Sequence, residues 1–482
     1  MGVIAALALP GASSAATIKV TTTADELDAS PDSTCSLREA VEAARTNLAK
    51  GGCKAGEAAT DIIELAKADY HLTIPTTNEV VNANGDLDVS GGGPVVLAGE
   101  SMNGTDVISA QDDRLIEVGS TAKLTLRSLT LSGGDVTSFG TGTGRGGTVE
   151  AGDGGTLKLS RVRVTSGEAY VGGGLYLAGP GTLTLSRSVF AANHATGLGG
   201  ALDVVGAVET KIKRSTFSEN TVTDLNDTAN AGGISNRGTS MTITDSSIVD
   251  NHATGDTMEA ASGGGLENAN ASELTIRRSL IAGNSAAAPT TNFFEGGGGI
   301  WTGAGTADVT LTNTTFYDNS AGSPNGLGGA IYAHSGTVLV NHVTFNANTA
   351  GNAGDDVDTV SADAYVLLRN SILDGGDPCS GSATFIDSGK YNLAQVDDPE
   401  CDFQAGDQAD VVTFGFTSGG VPTANGGPTD TIALKKSSPA VNLVPKSACG
   451  IAQKEDQRGF KRPGRGSRRC DSGAYERRAR PR

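Results

Sequence analysis

The sequence predicts an all-β chain wound as a right-handed parallel β-helix. A short amphipathic helix closes one end, and a disulfide-stabilised cap closes the other. Two observations carry this expectation. An eleven-residue block recurs as LTLSRSVFAAN from Leu183, TKIKRSTFSEN from Thr210, MTITDSSIVDN from Met241, LTIRRSLIAGN from Leu274, VTLTNTTFYDN from Val309 and VLVNHVTFNAN from Val338. Its apolar residues alternate with polar ones, which is the period of a strand. A glycine cluster running into Leu or Ile alternates with the blocks: GGGLY at Gly172, GGALD at Gly199, GGIS at Gly232, GGGLE at Gly263, GGGIW at Gly297 and GGAIY at Gly328.

At the N-terminus, residues 1–16 (MGVIAALALPGASSAA) read as the apolar core of a secretory signal followed by small residues suited to cleavage near Ala15 or Ala16, although no positive n-region precedes them. No other apolar run approaches the roughly 18 residues that span a bilayer, so no transmembrane segment is expected. Residues 17–93 form an N-terminal cap with the first coils. There Ser36-Leu-Arg-Glu39 has the spacing of a capping box, and Leu37, Ala40, Val41, Ala44 and Leu48 follow at helical spacing. Such a helix suits the open end of a coil, whose terminal rung exposes an apolar face and unpaired edges.

Residues 94–376 hold the repeats, with looser copies of the block at Leu124, Leu157 and Val366. Parallel strands normally need a long crossover, often a helix, and no helical pattern separates these blocks. Each turn of the chain must therefore pair with the turn above, and the hand of parallel connections makes the coil right-handed. The Asn closing six blocks (Asn193, Asn220, Asn251, Asn284, Asn319, Asn348) then stacks in one column, where the left-handed backbone it tolerates and its amide both suit a repeated turn. His194 and His252, next to two of these Asn, read as structural. The 68 glycines, about one residue in seven of 482, belong to the coil turns and exclude long helices.

Residues 377–482 form the C-terminal cap with a basic tail, in which twelve Lys/Arg stand against four Asp/Glu from Lys446 onward. The net charge of −18 therefore lies on a strongly acidic body, which argues against nucleic acid or an anionic membrane as its partner. Only Arg477–Arg482 read as free chain. Six cysteines fit an exported protein. Their grouping suggests local bridges, Cys35 with Cys53, Cys379 with Cys401 and Cys449 with Cys470, and the absence of any CxxC argues against zinc.

The stretch TCSLREAVEAARTN at residues 34–47 resembles the N-terminal region of CSLREA-domain proteins, matching the hexapeptide in full from Cys35 to Ala40. The C-terminus, with SSPAVN at Ser437, DQRG at Asp456 and CDSGAYE at Cys470, is similar to choice-of-anchor Q domain proteins. It departs from them at Asn442, where Asp is usual, and at Ser472, where Ile or Val is usual. The resemblance implies a β-helix of the pectin-lyase-like superfold in an exported protein, and little about activity.

Two columns are candidates for function. One residue past each inward Leu or Ile of the glycine-led strands stand Tyr176, Asp203, Ser235, Glu267, Trp301 and Tyr332, expected to point outward. Flat rings beside carboxylates suit sugar rings and their hydroxyls, while ordinary strand surface is the other reading of the same residues. Asp203 and Glu267, two rungs of about 4.8 Å apart, are the candidate catalytic pair. An inverting glycosidase wants carboxylates about 6.5–9.5 Å apart, within side-chain reach of that spacing. The second column reads Arg161, Arg187, Arg214, Asp245, Arg278, Asn313 and His342, and its arginines call for counter-charge, part of it from Asp245; a solvated turn with local ion pairs is one reading of the rest, and an acidic polysaccharide is the other. Asp355, Asp356 and Asp358, the densest acidic cluster, read as a turn, with calcium as the other reading; no other cofactor is implied.

These readings combine into an exported, monomeric, surface or extracellular binding protein of adhesin-like character whose ligand is a carbohydrate or another cell-surface component. A polysaccharide-degrading lyase or glycoside hydrolase is the alternative, and a structural spacer the third.

Overall fold

A computed structural model describes residues 15–477 except 29, 76–81, 110, 140–143, 207, 224–228, 256–259, 289–294, 323, 360, 382–384, 450–453 and 465–466. The expected leader up to residue 14 and the tail from 478 lie outside the described residues.

The coil expected from the repeats is present, and one turn shows its plan. Leu202–Val205 lies in a glycine-led sheet and Val208–Lys213 in a wide sheet. Arg214, at φ 53°, then bends the chain into Thr216–Ser218 of the same wide sheet. Glu219, at φ 57°, bends it again into Thr221–Thr223 of a third sheet. Each strand pairs in parallel with its counterpart one turn on. The wide sheet holds 23 strands and the other two 11 each among the described residues.

Register follows the sequence blocks: Leu185, Ile212, Ile243, Ile276, Leu311, Val340 and Leu368 are successive partners. All are buried, and they form the core with the stacked pairs Phe190–Phe217 and Phe316–Phe345, whose centroids lie 5.1 Å apart. Glycine is required where the third sheet hands over to the glycine-led one. Gly199 sits at φ +62°, and a Cβ on Gly200 would lie 2.3 Å from the carbonyl oxygen of Gly232.

Inside the second bend the asparagines form a continuous amide ladder. Asn220 Nδ2 donates to Asn251 Oδ1 at 2.9 Å, Asn251 to Asn284 and Asn284 to Asn319 at the same distance. Asn348 ends the series by donating to Asp356 Oδ1 at 3.0 Å. His194 and His252 sit beside this bend, half-buried and bonded to Thr221 and Ser285 on the next rung, which accords with a structural role.

At the N-terminal end, Leu37–Thr46 is the expected helix, with both halves of the Ser36/Glu39 capping box formed. The Cys35–Cys53 disulfide is present. Leu37, Ala40, Val41 and Ala44 are buried. Leu48, placed on the apolar face by spacing, is instead exposed, because the helix stops at Thr46 and Asn47 takes the left-handed conformation. Arg38 is fully buried, its charge met by Asp25 at 2.8 Å and by the carbonyls of Gly85 and Asp86.

At the far end four acidic residues have a structural task. A terminal rung leaves backbone N–H groups without a neighbouring strand, and carboxylates accept from them here: Asp377 from Gly354, Asp398 from Cys379, Glu400 from Gly381 and Asp407 from Asn392. The Cys379–Cys401 disulfide ties the last glycine-led strand to this closing segment.

Beyond it the chain returns along the flank of the coil. This strap, held by the Cys449–Cys470 disulfide, lies over the first bend. Ser472 Oγ donates to Tyr391 O, Asn313 Nδ2 donates to Glu455 O, and Gln457 Nε2 donates to Ser279 O. The segment expected as a far cap therefore also covers a side of the solenoid.

Candidate functional site

The glycine-led strands do align Tyr176, Asp203, Ser235, Glu267, Trp301 and Tyr332 as rung partners. They point away from the core, yet the structure corrects their exposure. Asp203 is 0 % exposed, Glu267 4 %, Tyr176 6 % and Tyr332 7 %. The column lies in the corner where the third sheet turns in through the glycines, so backbone packs over it; a Cβ on Gly296 would lie 2.1 Å from the Tyr332 ring. Trp301 alone is half-buried, stacked on exposed His334 with centroids 6.2 Å apart.

Polar groups in this corner satisfy one another. Arg237, at the outward position two residues past Ser235, holds Asp203 through two contacts, at 3.2 and 2.6 Å. Ser235 Oγ donates to Glu267 Oε2 at 2.8 Å. Burial pushes the Glu267 carboxyl up to about 7, against the lowering effects of Ser235 and Arg237. Burial also raises Asp203, with Arg237 opposing. Tyr176 lies under the Arg145 guanidinium at 5.2 Å. The expected open sugar platform is thus replaced by a closed hydrogen-bonded network, and the Asp203/Glu267 pair faces protein.

The arginine column behaves differently along its length. Ser128, Arg161, Arg187, Arg214, Asp245, Arg278, Asn313 and His342 all occupy the first bend at positive φ, so one conformation repeats rung after rung. Under the strap the column is neutralised. Arg278 pairs with Asp245 at 2.7 Å and Glu455 at 3.5 Å, and His342 is fully buried, with burial and then the Arg462 charge holding its imidazole well below the usual range.

Short of the strap the same column is open. Arg161, Arg187 and Arg214 are exposed, as are Arg127, Lys158, Lys211 and Lys213 on the adjoining wide-sheet face. The ion pairs among these described residues are Lys211 with Glu209 at 2.6 Å and a long contact of Arg214 with Asp245 at 3.9 Å. Where strap meets coil, a cleft of about 500 Å³ is lined by Arg187, Arg214 and Asp245 of the bends, Ser215, Thr216 and Ser247 beside them, and Gly426–Pro428 and Arg458 of the strap. It offers guanidinium groups and hydroxyls together. Arg187 and Arg214 were legible in the sequence; the strap residues were not, since nothing local places Arg458 beside Arg214.

The three acids of the 355–358 segment part company. Asp355 accepts from the backbone of Ala350 and Asp377, Asp356 ends the asparagine ladder, and Asp358 stands on the glycine-led sheet. Among the described residues, the acidic side chains whose oxygens all lie within 4.8 Å of one another are Glu26, Asp28 and Asp32, at the surface of the N-terminal cap.

Residues 173–373 match the family model described as right handed beta helix region. No curated protein and no solved structure matches the chain. None of the described helices is long and apolar enough to cross a membrane. With parallel pairing continuous from the first coil to the last, the chain is a right-handed parallel β-helix with a helical N-terminal lid and a disulfide-bonded C-terminal strap.

Proposed function

We propose that this chain is an exported binding protein whose open arginine column and adjoining cleft hold an acidic polysaccharide of the cell surface. One observation supports this above the others: exposed, largely unpaired cations repeat at the rung spacing of about 4.8 Å from Arg161 to Arg214 on a chain of net charge −18. Like charges held that close repel unless an anion lies between them. A polymer carrying carboxylate or sulfate groups meets the row with one charge per rung or two, and Arg recognises such groups bidentately. Three disulfides accord with export, as does the resemblance at Cys35–Ala40 to exported CSLREA-domain proteins.

The test is chromatography of the intact protein on an immobilised uronate polymer, with an uncharged glucan as control. Retention on the uronate at low salt, loss of retention at high salt and weaker retention of Arg187→Ala/Arg214→Ala are expected. Equal retention of that double variant and the wild type refutes the reading. Release of unsaturated uronates or new reducing ends during the run favours the enzyme alternative.

A further inference from the structure

We infer that Asp358, with Glu400 and Asp377 beside it, forms a site for a divalent cation of calcium's chemistry at the far end of the glycine-led sheet. Asp358 is the last acid of the outward column, in register between Tyr332 and Ser380. It is 0 % exposed, and its one polar neighbour on the next rung, the Ser380 hydroxyl, stands outside hydrogen-bond geometry from both carboxylate oxygens. Every other buried acid of the column has found a hydrogen-bond partner: Asp203 has Arg237, and Glu267 has Ser235. Burying a carboxylate without a partner is among the least favourable arrangements a fold can hold.

What faces Asp358 is more negative charge. Burial pushes its carboxyl up to about 7; the neighbouring Ser380 hydroxyl opposes this, and Asp377 and Glu400 add to the rise. Both acids are anchored by one oxygen only: Glu400 Oε2 accepts from Gly381 N at 3.1 Å, and Asp377 Oδ2 from Gly354 N at 3.0 Å. Their second oxygens remain for a ligand. Gly381 follows Ser380, and Gly354 leads into the strand of Asp358, so the two anchors flank the strand pair on which Asp358 stands. The donor set is all oxygen, which selects a hard cation, and its loose anchoring suits calcium's flexible geometry better than magnesium's strict octahedron. The three carboxylates do not all come within 4.8 Å of one another. Closure on an ion therefore needs Glu400, half-buried, and Asp377, exposed, to rotate inward.

Terbium, which occupies calcium sites and emits when excited through a nearby ring, tests this on the EDTA-treated full chain, with Tyr332 one rung away as the antenna. Sensitised emission displaced by calcium, and at least tenfold weaker calcium binding by calorimetry in Asp358→Asn and Glu400→Gln, are expected. Tyr332→Phe should dim the emission while leaving calcium affinity within twofold. Without metal, Asp358→Asn should melt no lower than the wild type, and calcium should raise the melting temperature of the wild type only. The site is overturned if calcium binding is absent, if it survives unchanged in Asp358→Asn and Glu400→Gln, or if it is lost instead in Asp28→Asn of the surface trio. Loss of uronate retention in Arg187→Ala/Arg214→Ala bears on the polysaccharide reading alone.

Discussion

Truncating one amide in the middle of the asparagine ladder should damage this fold far more than its size suggests. Asn251 is fully buried, and its side chain takes part in five hydrogen-bond contacts. Nδ2 donates to Phe217 O at 3.1 Å, Val249 O at 3.1 Å and Asn284 Oδ1 at 2.9 Å. Oδ1 accepts from Asn220 N at 3.1 Å and from Asn220 Nδ2 at 2.9 Å. With alanine there, the buried N–H of Asn220 loses its acceptor, and the amide pairs to both neighbouring rungs are lost. An orphaned buried donor costs about 1–3 kcal/mol, and each lost hydrogen bond adds a net of about 1 kcal/mol. Asn251→Ala should therefore lose about 3–4 kcal/mol. His252→Ala next to it, giving up one bond to Ser285, should lose no more than about 1 kcal/mol. Urea unfolding measures the loss, and native-state hydrogen exchange locates it, because coils open locally. The reasoning is refuted if Asn251→Ala stays within about 1 kcal/mol of the wild type while the Asn220 amide keeps its protection.

Four further outcomes are expected. Asp356, whose second oxygen has no partner, is held by burial well above the ordinary carboxylate range, so its contribution is present at acid pH and lost as pH rises through its folded value. Asp356→Asn should therefore be increasingly more stable than the wild type as pH is raised from about 4, checked by melting temperature across pH. Glu476 of the strap is pushed up to about 7, first by burial, so its contribution is complete below about 4.5 and fades through about 7; Glu476→Gln should flatten that part of the stability profile. Arg237→Ala should destabilise by about 3–5 kcal/mol by stranding the buried Asp203 carboxylate, whereas Asp203→Leu/Arg237→Met should come close to the wild type in urea unfolding. Cys449→Ser/Cys470→Ser should expose the strap to limited proteolysis before the coil is cut, which mass spectrometry of early fragments reads.

Sequence periodicity reached the coil because a strand's alternation is set by the core. Leu185, Ile212 and Ile243 stack because each is the inward residue of its block, and the closing asparagines stack because the same bend recurs. The helix and the three disulfides were legible for a similar reason, their partners being close in the chain. Alternation says which residues face away from the core and nothing about what lies beyond them. Hence Tyr176, Asp203, Glu267 and Tyr332 were placed on the correct side but expected in solvent, when the incoming third sheet and Arg145, Arg237 and His334 cover them. The cleft is half legible on the same grounds. Its arginines belong to the repeat, whereas Gly426–Pro428 and Arg458 arrive from a segment with no repeat of its own.

The strap also fixes how many turns this protein can have. Gln457 reaches Ser279 across 178 residues and Asn313 reaches Glu455 across 142, while coils from Leu157 to Thr244 touch mainly their neighbours in the stack. A duplicated turn inserted among those earlier coils would lengthen the cylinder by one rung and leave the strap's hydrogen bonds to Ser279, Asn313 and Tyr391 intact, with only the cleft wall changed. The same duplication between Ser279 and Ser371 would carry the strap's farther partners about 4.8 Å out of reach. Gain and loss of turns over evolutionary time should therefore be confined to the arginine-bearing stretch, so that the length of the anion-facing track can vary while the strapped half keeps a constant measure.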